Sequence, residues 1–317
     1  MYFITEKNLN MKRKVILIGL SLFTLIIYFS SCENFSAKNN NKPSTFKKNS
    51  NELLKLPAFL SDKEKEEIIN DNDSLRDEKP THKGLKPLPQ DFDDFRKADL
   101  DKVYWKGMKA VGADFRGASL RSANCEETNF NHSDFRVADV RWALFNRALL
   151  YNCNFRQAML FHVHVTDAQL DSSDFQGANM FGMTGHRASL KYCNFTNALL
   201  KDVEFTHANF SYSTAIKTRF IRAVLTNSDF KDCNFAGSDF SGAGLEGASF
   251  KDANLDGVNF GGAHLQETDF TGANLKGCNF YGAEMRNTNF TNAKNIPSEL
   301  KKYIHDNFIT DVISNRK

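Results

Sequence analysis

Residues 241–290 read SGAGL EGASF KDANL DGVNF GGAHL QETDF TGANL KGCNF YGAEM RNTNF when the chain is divided every five residues. The fifth residue of each unit is large and apolar, and the residue two places before it is small. A period of five matches neither the 3.6 residues of a helical turn nor the two-residue alternation of a strand. A fixed period of this kind indicates an array of stacked repeats, each of which buries its apolar face only against its neighbours.

The same register runs without insertion or deletion from Phe115 to Phe290, which gives 36 consecutive units whose last residue has a number divisible by five. We term these last residues the centres and the small residues two places earlier the partners. Almost all centres are Phe or Leu, and weaker units extend back to Phe95. Centre and partner are predicted to point inward, which leaves the other three residues of each unit facing water.

Asp or Asn commonly precedes the centre, as in Asp134, Asn154 and Asn254. These units resemble the pentapeptide repeat family, whose consensus is A(D/N)LXX, over roughly 200 of the 317 residues. The resemblance implies an all-β fold, a right-handed quadrilateral β-helix in which four units make one 20-residue coil. Residues 92–295 are then a β-helix of about ten coils. Residues 296–317, with apolar residues at helical spacing after Pro297, are predicted to form a C-terminal capping helix.

The N-terminal residues have the pattern of an export signal. Met11 to Cys32 contains three basic residues, an apolar run from Val15 to Phe29, and then two serines before Cys32. This ending resembles a bacterial lipobox, so we predict a lipoprotein signal peptide over residues 1–31 with lipidation of Cys32. An uncleaved anchor and a cleaved signal without lipid are the alternatives, although fifteen apolar residues fall short of the roughly 20 that span a bilayer.

Residues 32–91 are rich in Asn, Lys, Ser, Glu and Asp and poor in aromatic residues, so they are predicted to form a flexible polar tether. Within them, Leu53 to Ile68 is compatible with a short helix or a docking motif, with Ser61 placed as a helix cap. A mostly disordered spacer is the interpretation that the composition favours.

The sequence offers little chemistry. It contains no Gly-rich phosphate loop, no Cys-x-x-Cys pair and no spacing typical of a nucleophilic triad. The outward Asp and Asn recur at one repeat position, which favours hydrogen-bonded ladders between coils over acid and base catalysis. His162 and His164 are paired on one predicted strand, but no third ligand accompanies them. We therefore predict no enzyme activity, no metal and no cofactor.

Five cysteines fall on inward positions and are expected to behave as small apolar residues. Cys153, Cys193 and Cys233 are 40 residues apart, which is two coils, or about 10 Å between neighbours. That distance is too long for a disulfide, so none is predicted. Gly185 and Ala215 leave two centres without a large side chain, and we expect nearby side chains to occupy the space.

A cluster of outward aromatic residues is the first candidate contact surface. Stacking at 20-residue intervals places Phe161 over Phe181, among positions that are otherwise mostly polar. Exposed aromatic clusters are typical of contact surfaces. The predicted protein-contact patch consists of Trp142, Leu144, Phe161, His162, His164 and Phe181. A loop or the tether folded over these rings, or local irregularity near Gly185, is the alternative.

A column of arginines is the second candidate surface, an anion-contact ridge formed by Arg116, Arg121, Arg136, Arg141 and Arg156. Like charges about 5 Å apart repel, so the ridge either pairs with interleaved acids or contacts an anionic partner. Residues 95–160 hold 11 basic and 7 acidic side chains, and residues 229–290 hold 4 and 9. A basic end near anionic lipid headgroups is one interpretation, and a solvated basic face is the default.

The leading hypothesis is a membrane-anchored, non-catalytic lipoprotein of the bacterial cell envelope, periplasmic or surface-exposed, whose rod binds a protein partner or has a structural role. The coil ends offer a possible homodimer interface. The resemblance also implies an alternative, a DNA mimic that binds a type II topoisomerase. That role requires a strongly acidic rod, whereas residues 95–290 hold 21 acidic and 21 basic side chains. No nucleic-acid partner is predicted, and an enzyme is the remaining alternative.

Overall fold

The repeats form a four-sided β-helix, seen in a computed structural model that describes residues 61–70 and 88–305. Parallel bridges join the residue before each centre to the residue 20 positions later, from Asp94 with Asp114 to Asn274 with Lys294. Ten coils of 20 residues lie between the first and last of these bridges. The predicted β-helix is therefore confirmed, but each side of a coil contributes one bridge residue and not an extended strand.

Each five-residue unit is one turn followed by one bridge. The carbonyl of the centre Phe115 accepts the N–H of Ala118 at 2.9 Å, which closes a turn, and the N–H of Phe115 donates to Asp134 O in the next coil at 2.7 Å. The second turn residue has a left-handed backbone, as in Gly107 with φ of 71°. All thirteen glycines with positive φ occupy this turn position. Glycine is common there because it adopts positive φ without steric cost.

The Asp or Asn before each centre holds the turn and the ladder together. Asp134 Oδ1 accepts the backbone N–H of Arg136 at 3.0 Å, two residues further on. Asn254 Nδ2 donates to Asn234 Oδ1 at 2.9 Å, and Asn274 Nδ2 donates to Asn254 Oδ1 at 2.9 Å. The predicted ladders between coils are confirmed for these residues, and this structural role accounts for the recurring Asp and Asn.

The centres fill the interior of the β-helix. Phe115 and Phe135 stack at 4.6 Å between ring centroids along one face, whereas Phe130 meets Phe135 edge to face at 5.5 Å. Gly185 leaves no void, because a Cβ built there would lie 2.1 Å from Phe205 Cε1. The expectation that a neighbouring side chain fills this space is confirmed. Stacking along faces and edge contacts between faces are both favourable aromatic geometries.

The partners bond to the coil before them. Ser173 Oγ accepts the N–H of Cys153 at 2.9 Å and donates to Leu150 O at 2.7 Å. A cysteine at the same position does likewise, since Cys153 Sγ donates to Phe130 O at 3.0 Å. The five cysteines of the described residues are buried and free, as predicted. Burial raises the pKa of Cys153 to about 12, so its thiol stays protonated.

The C-terminal end of the β-helix is covered in part. Residues 298–305 are helical, and within them Leu300 is buried in the core while Tyr303 and Ile304 pack against it. Phe280 and Phe290 of the last coil are only half-buried. The remainder of the predicted capping helix, residues 306–317, lies outside the described residues.

One further helix, α1, spans Asp62–Asn70 within the predicted tether. Ser61 begins it with a reciprocal cap, since Glu64 N donates to Ser61 Oγ at 3.3 Å and Ser61 N donates to Glu64 Oε2 at 2.7 Å. The short helix that the sequence left open is thus formed, and this part of the tether is not a disordered spacer. No helix among the described residues is long and apolar enough to cross a bilayer. The predicted signal peptide, Cys32 and the rest of the tether, apart from 88–91, lie outside the described residues.

Candidate contact surfaces

Three aromatic side chains meet at one corner of the β-helix, and we term Trp142, Phe161 and Phe181 the aromatic corner. They occupy turn positions of successive coils, which stack because the coil repeats every 20 residues. Phe161 and Phe181 stack at 4.8 Å with 11° between their planes, and Trp142 meets Phe161 edge to face at 6.2 Å. Trp142 is 46% exposed and the two phenylalanines are half-buried. The predicted patch is therefore brought together with its rings in contact with solvent.

The other predicted members of the patch flank these rings. His162 meets Phe161 edge to face at 4.5 Å, and its Nδ1 donates to Gly182 O at 3.2 Å. His164 is exposed and forms the bridge between Leu144 and Thr184. Among the described residues, no three His, Cys, Asp or Glu side chains are grouped as metal ligands would be.

Two cations border the aromatic corner. The Arg141 guanidinium lies 5.3 Å from the Trp142 ring centroid, and Lys201 Nζ lies 5.9 Å from that of Phe181. Both distances are within the range of cation–π attraction. Half-exposed rings bordered by cations can bury apolar area and orient a partner, and such rings often supply much of the binding energy of an interface.

The arginine ridge is paired with interleaved acids, which is the first of the two alternatives drawn from the sequence. Arg116 Nη2 lies 2.6 Å from Asp114 Oδ2, and the same i, i+2 pairing recurs in Arg136 with Asp134 at 2.7 Å. The pairs also connect between coils, since Arg116 Nε lies 3.8 Å from Asp134 Oδ2. The result is a continuous ladder of alternating charge.

On the next face, Arg141 pairs with Asp139 at 2.6 Å and Arg121 with Asp101. Arg156 is the exception, because its nearest acid, Asp174, is 4.0 Å away. A bare column of positive charge is therefore not present. As a surface for an anionic partner, the predicted ridge is corrected to Arg156 alone, and pairing within the chain is the physical reason.

Asp101 is the most strongly perturbed carboxylate of this region. Burial raises its pKa, but Arg121 Nε donates to Asp101 Oδ2 at 2.8 Å and Ser119 Oγ donates to Oδ1 at 2.6 Å. These hydrogen bonds outweigh burial and lower the pKa of Asp101 to about 2. The group is ionised at neutral pH and has the properties of a structural anchor for the turn, not of a general base.

Sequence reasoning missed a second exposed aromatic pair. Tyr192 and Tyr212 stack at 5.0 Å with 9° between their planes, at 59% and 44% exposure. Half a coil separates their turn position from that of the aromatic corner, so the tyrosine pair occupies the diagonally opposite corner. Its signal in the sequence was the same 20-residue spacing of aromatic residues at an outward position.

Sequence reasoning also missed where α1 lies. Lys97 Nζ donates to Glu66 Oε2 at 2.7 Å, Arg116 Nη1 donates to Ile68 O at 3.4 Å, and Ile69 is 8% exposed. The hydrogen bond from Lys97 lowers the pKa of Glu66. Asp114 is buried with Arg116 at this position. No pattern within residues 61–70 identifies this surface, because it arises only from contacts between distant parts of the chain.

A filled four-sided β-helix, with candidate surfaces confined to its outer corners, defines a solenoid repeat protein. Family profiles identify which kind. The profile described as Pentapeptide repeat region matches residues 183–260 and 223–300, and that described as Pentapeptide repeats (8 copies) matches residues 94–136 and 138–182. Together they cover more than half of the sequence, and the chain belongs to the pentapeptide repeat family. Members of this family form right-handed quadrilateral β-helices.

Solved structures with similar folds include full-length QnrB1, a plasmid-mediated fluoroquinolone resistance protein, at 18% identity and a TM-score of 0.43 over 63% of this chain and 97% of that one. HetL, a pentapeptide repeat protein involved in heterocyst differentiation regulation in Nostoc, has 20% identity and a TM-score of 0.28 over 62% and 91%. A pentapeptide repeat protein of the Arabidopsis thaliana thylakoid lumen has 27% identity and a TM-score of 0.29 over 31% and 71%. No curated protein sequence matches the chain.

Proposed function

We propose that this protein is a non-catalytic binding rod, held at a membrane of the bacterial cell envelope by a lipid on Cys32, which contacts a protein partner through the aromatic corner. The observation that carries the binding role is the cluster of Trp142, Phe161 and Phe181. These rings keep solvent exposure although the fold buries its other apolar centres. Aromatic residues of this kind are enriched where proteins bind one another.

The chemistry of the remaining groups supports a non-catalytic role. The cysteines are buried and protonated, and Asp101 is held in its turn by two hydrogen bonds. The arginine ridge is largely neutralised by its own acids, which leaves apolar contact as the main source of affinity. The envelope location is supported by the signal pattern from Met11 to Cys32.

The binding role is tested with the double variant Phe161→Asp and Phe181→Asp. In vivo crosslinking followed by affinity purification and mass spectrometry should recover a specific partner with the wild-type chain and lose it with this variant. The matched control is Tyr192→Asp and Tyr212→Asp, which places the same two charges on the stacked pair of the opposite corner. Equal recovery with both variants would remove the aromatic corner as the contact site.

The stability of the variants separates binding from folding. Since the two phenylalanines are half-buried at a turn, their replacement should shift the thermal midpoint by only a few degrees. A large loss of stability would mean that the rings are structural.

The membrane half of the proposal is tested at Cys32. Growth with labelled palmitate should label the wild-type chain and not Cys32→Ser. A wild-type chain without label, recovered in the soluble fraction, would contradict the anchor while leaving the binding test valid.

A further inference from the structure

We infer that Lys97, Arg116 and Gly117, which we term the docking corner, form a site for a short acidic helix, and that α1 of the same chain occupies it. The three residues lie at one corner of the first two coils. They contact α1 through an ion pair, a hydrogen bond to the last helical turn and an apolar contact. The inference does not depend on the proposed function.

The apolar contact is shaped by Gly117. A Cβ built on Gly117 would lie 2.5 Å from Ile69 Cδ1, so the isoleucine rests directly on the glycine backbone. Gly117 has φ of 66°, as its turn position requires, and the absence of a side chain creates the seat for Ile69. Ile69 is the buried residue of α1, so this contact supplies its apolar burial.

The polar contacts match the two ends of the seat. The last turn of α1 contains no basic residue, although the carbonyl end of a helix favours a nearby cation. Arg116 meets this need from the β-helix by donating to Ile68 O. The same guanidinium remains bonded to Asp114, which is possible because arginine carries five donors. Glu66, one turn earlier along α1 than Asn70, reaches Lys97.

A helix of nine residues is too short to be stable alone in water. The helical state of α1 therefore depends on docking, and leaving the corner means unfolding. In the sequence, docking moves the point at which the N-terminal chain reaches the rod from residue 92 to residue 69. On the proposed function, this shortens the maximal reach between a lipid on Cys32 and the rod by about 80 Å.

Hydrogen exchange of the full chain tests the docking, with the amides of residues 65–70 as the readout. Ile69→Ser should speed their exchange roughly 10- to 100-fold, the range set by the burial of one isoleucine. Gly117→Asn should do the same, because asparagine tolerates positive φ but its side chain occupies the seat. The control is Gly107→Asn, at the same turn position with φ of 71° and no atom within 4 Å of the place that a Cβ would take.

The charge contact has its own matched pair. Glu66→Gln should speed exchange of α1 a few-fold, whereas Glu67→Gln should not, since Glu67 pairs only weakly with Lys63 at 3.8 Å and faces solvent. Unchanged exchange of α1 in both Ile69→Ser and Gly117→Asn would overturn the inference. Equal acceleration by Gly117→Asn and Gly107→Asn would also overturn it, because the effect would then come from the turn and not from the seat.

Discussion

The backbone of each turn sets a residue-scale requirement that can be measured at two positions. Val137 holds a β-branched side chain at φ of 53°, a conformation that costs such residues on the order of 1 to 2 kcal/mol. Gly107 has φ of 71° and open space around a Cβ. We predict that Gly107→Val lowers the free energy of unfolding by about 1 to 2 kcal/mol, because the new side chain meets backbone strain alone.

The reverse change, Val137→Gly, should raise stability by up to about 1 kcal/mol, since relief of strain is reduced by the loss of half-buried methyl groups. Denaturant unfolding of both variants measures the two effects. A Gly107→Val chain as stable as the wild type would show that the turn tolerates any residue, and the glycines at this position would need another explanation.

The sequence could reveal such features where they depend on residue number alone. The centres, the partners and the stacking of Phe161 on Phe181 follow from the 20-residue coil, and so does the burial of the cysteines. The positive φ of the second turn residue was also visible in the glycines that recur there. Pairing of the arginine ridge was not settled, because it depends on whether Arg116 turns back to Asp114 or outward, a choice of side-chain rotamer.

At the scale of elements, the helix α1 shows why the rest was not predictable. Its cap at Ser61 is a local signal and was found in the sequence. Its seat joins Ile69 to Gly117, which are 48 residues apart and share no pattern. A nine-residue segment of mostly charged composition has no intrinsic preference strong enough to show where it packs.

The turn that begins at Asp101 gives an element-scale prediction for pH. The pKa of Asp101 is lowered to about 2 in the folded chain, against about 3.9 in an unfolded one. A lowered pKa contributes stability that is present above the unfolded value and lost as pH falls through the folded value. Asp101→Asn should therefore destabilise the chain most at pH 5 and above, and its difference from wild type should shrink between about pH 4 and pH 2.

Thermal midpoints of wild type and Asp101→Asn across this range measure the effect, and the carboxyl chemical shift of Asp101 reports its titration directly. Asp99→Asn, one residue before a centre in the same coil, is the control. A difference that stays constant down to pH 2 would contradict the hydrogen bonds of Arg121 and Ser119 as the source of the lowered pKa.

For the whole molecule, the buried thiols provide reporters from the second coil to the last. Cys125, Cys153, Cys193, Cys233 and Cys278 are each protonated and buried, so each reacts with an alkylating reagent only when its coil opens. A solenoid has contacts only between neighbouring coils, and its ends open more easily than its middle. In a Cys32→Ser chain, we predict that Cys278 reacts first and Cys193 much later.

The order of reaction follows from the C-terminal end. Cys278 is 7% exposed, lies beside the half-buried Phe280, and depends on cover by residues 298–305. Leu300→Ser should therefore speed labelling of Cys278 roughly 10- to 100-fold, as expected for loss of one buried leucine, and leave Cys193 nearly unchanged. Mass spectrometry of peptides after timed alkylation measures both rates. If the two cysteines react at one common rate that Leu300→Ser raises equally, the β-helix opens as a single unit, and nearest-neighbour contacts do not limit its cooperativity.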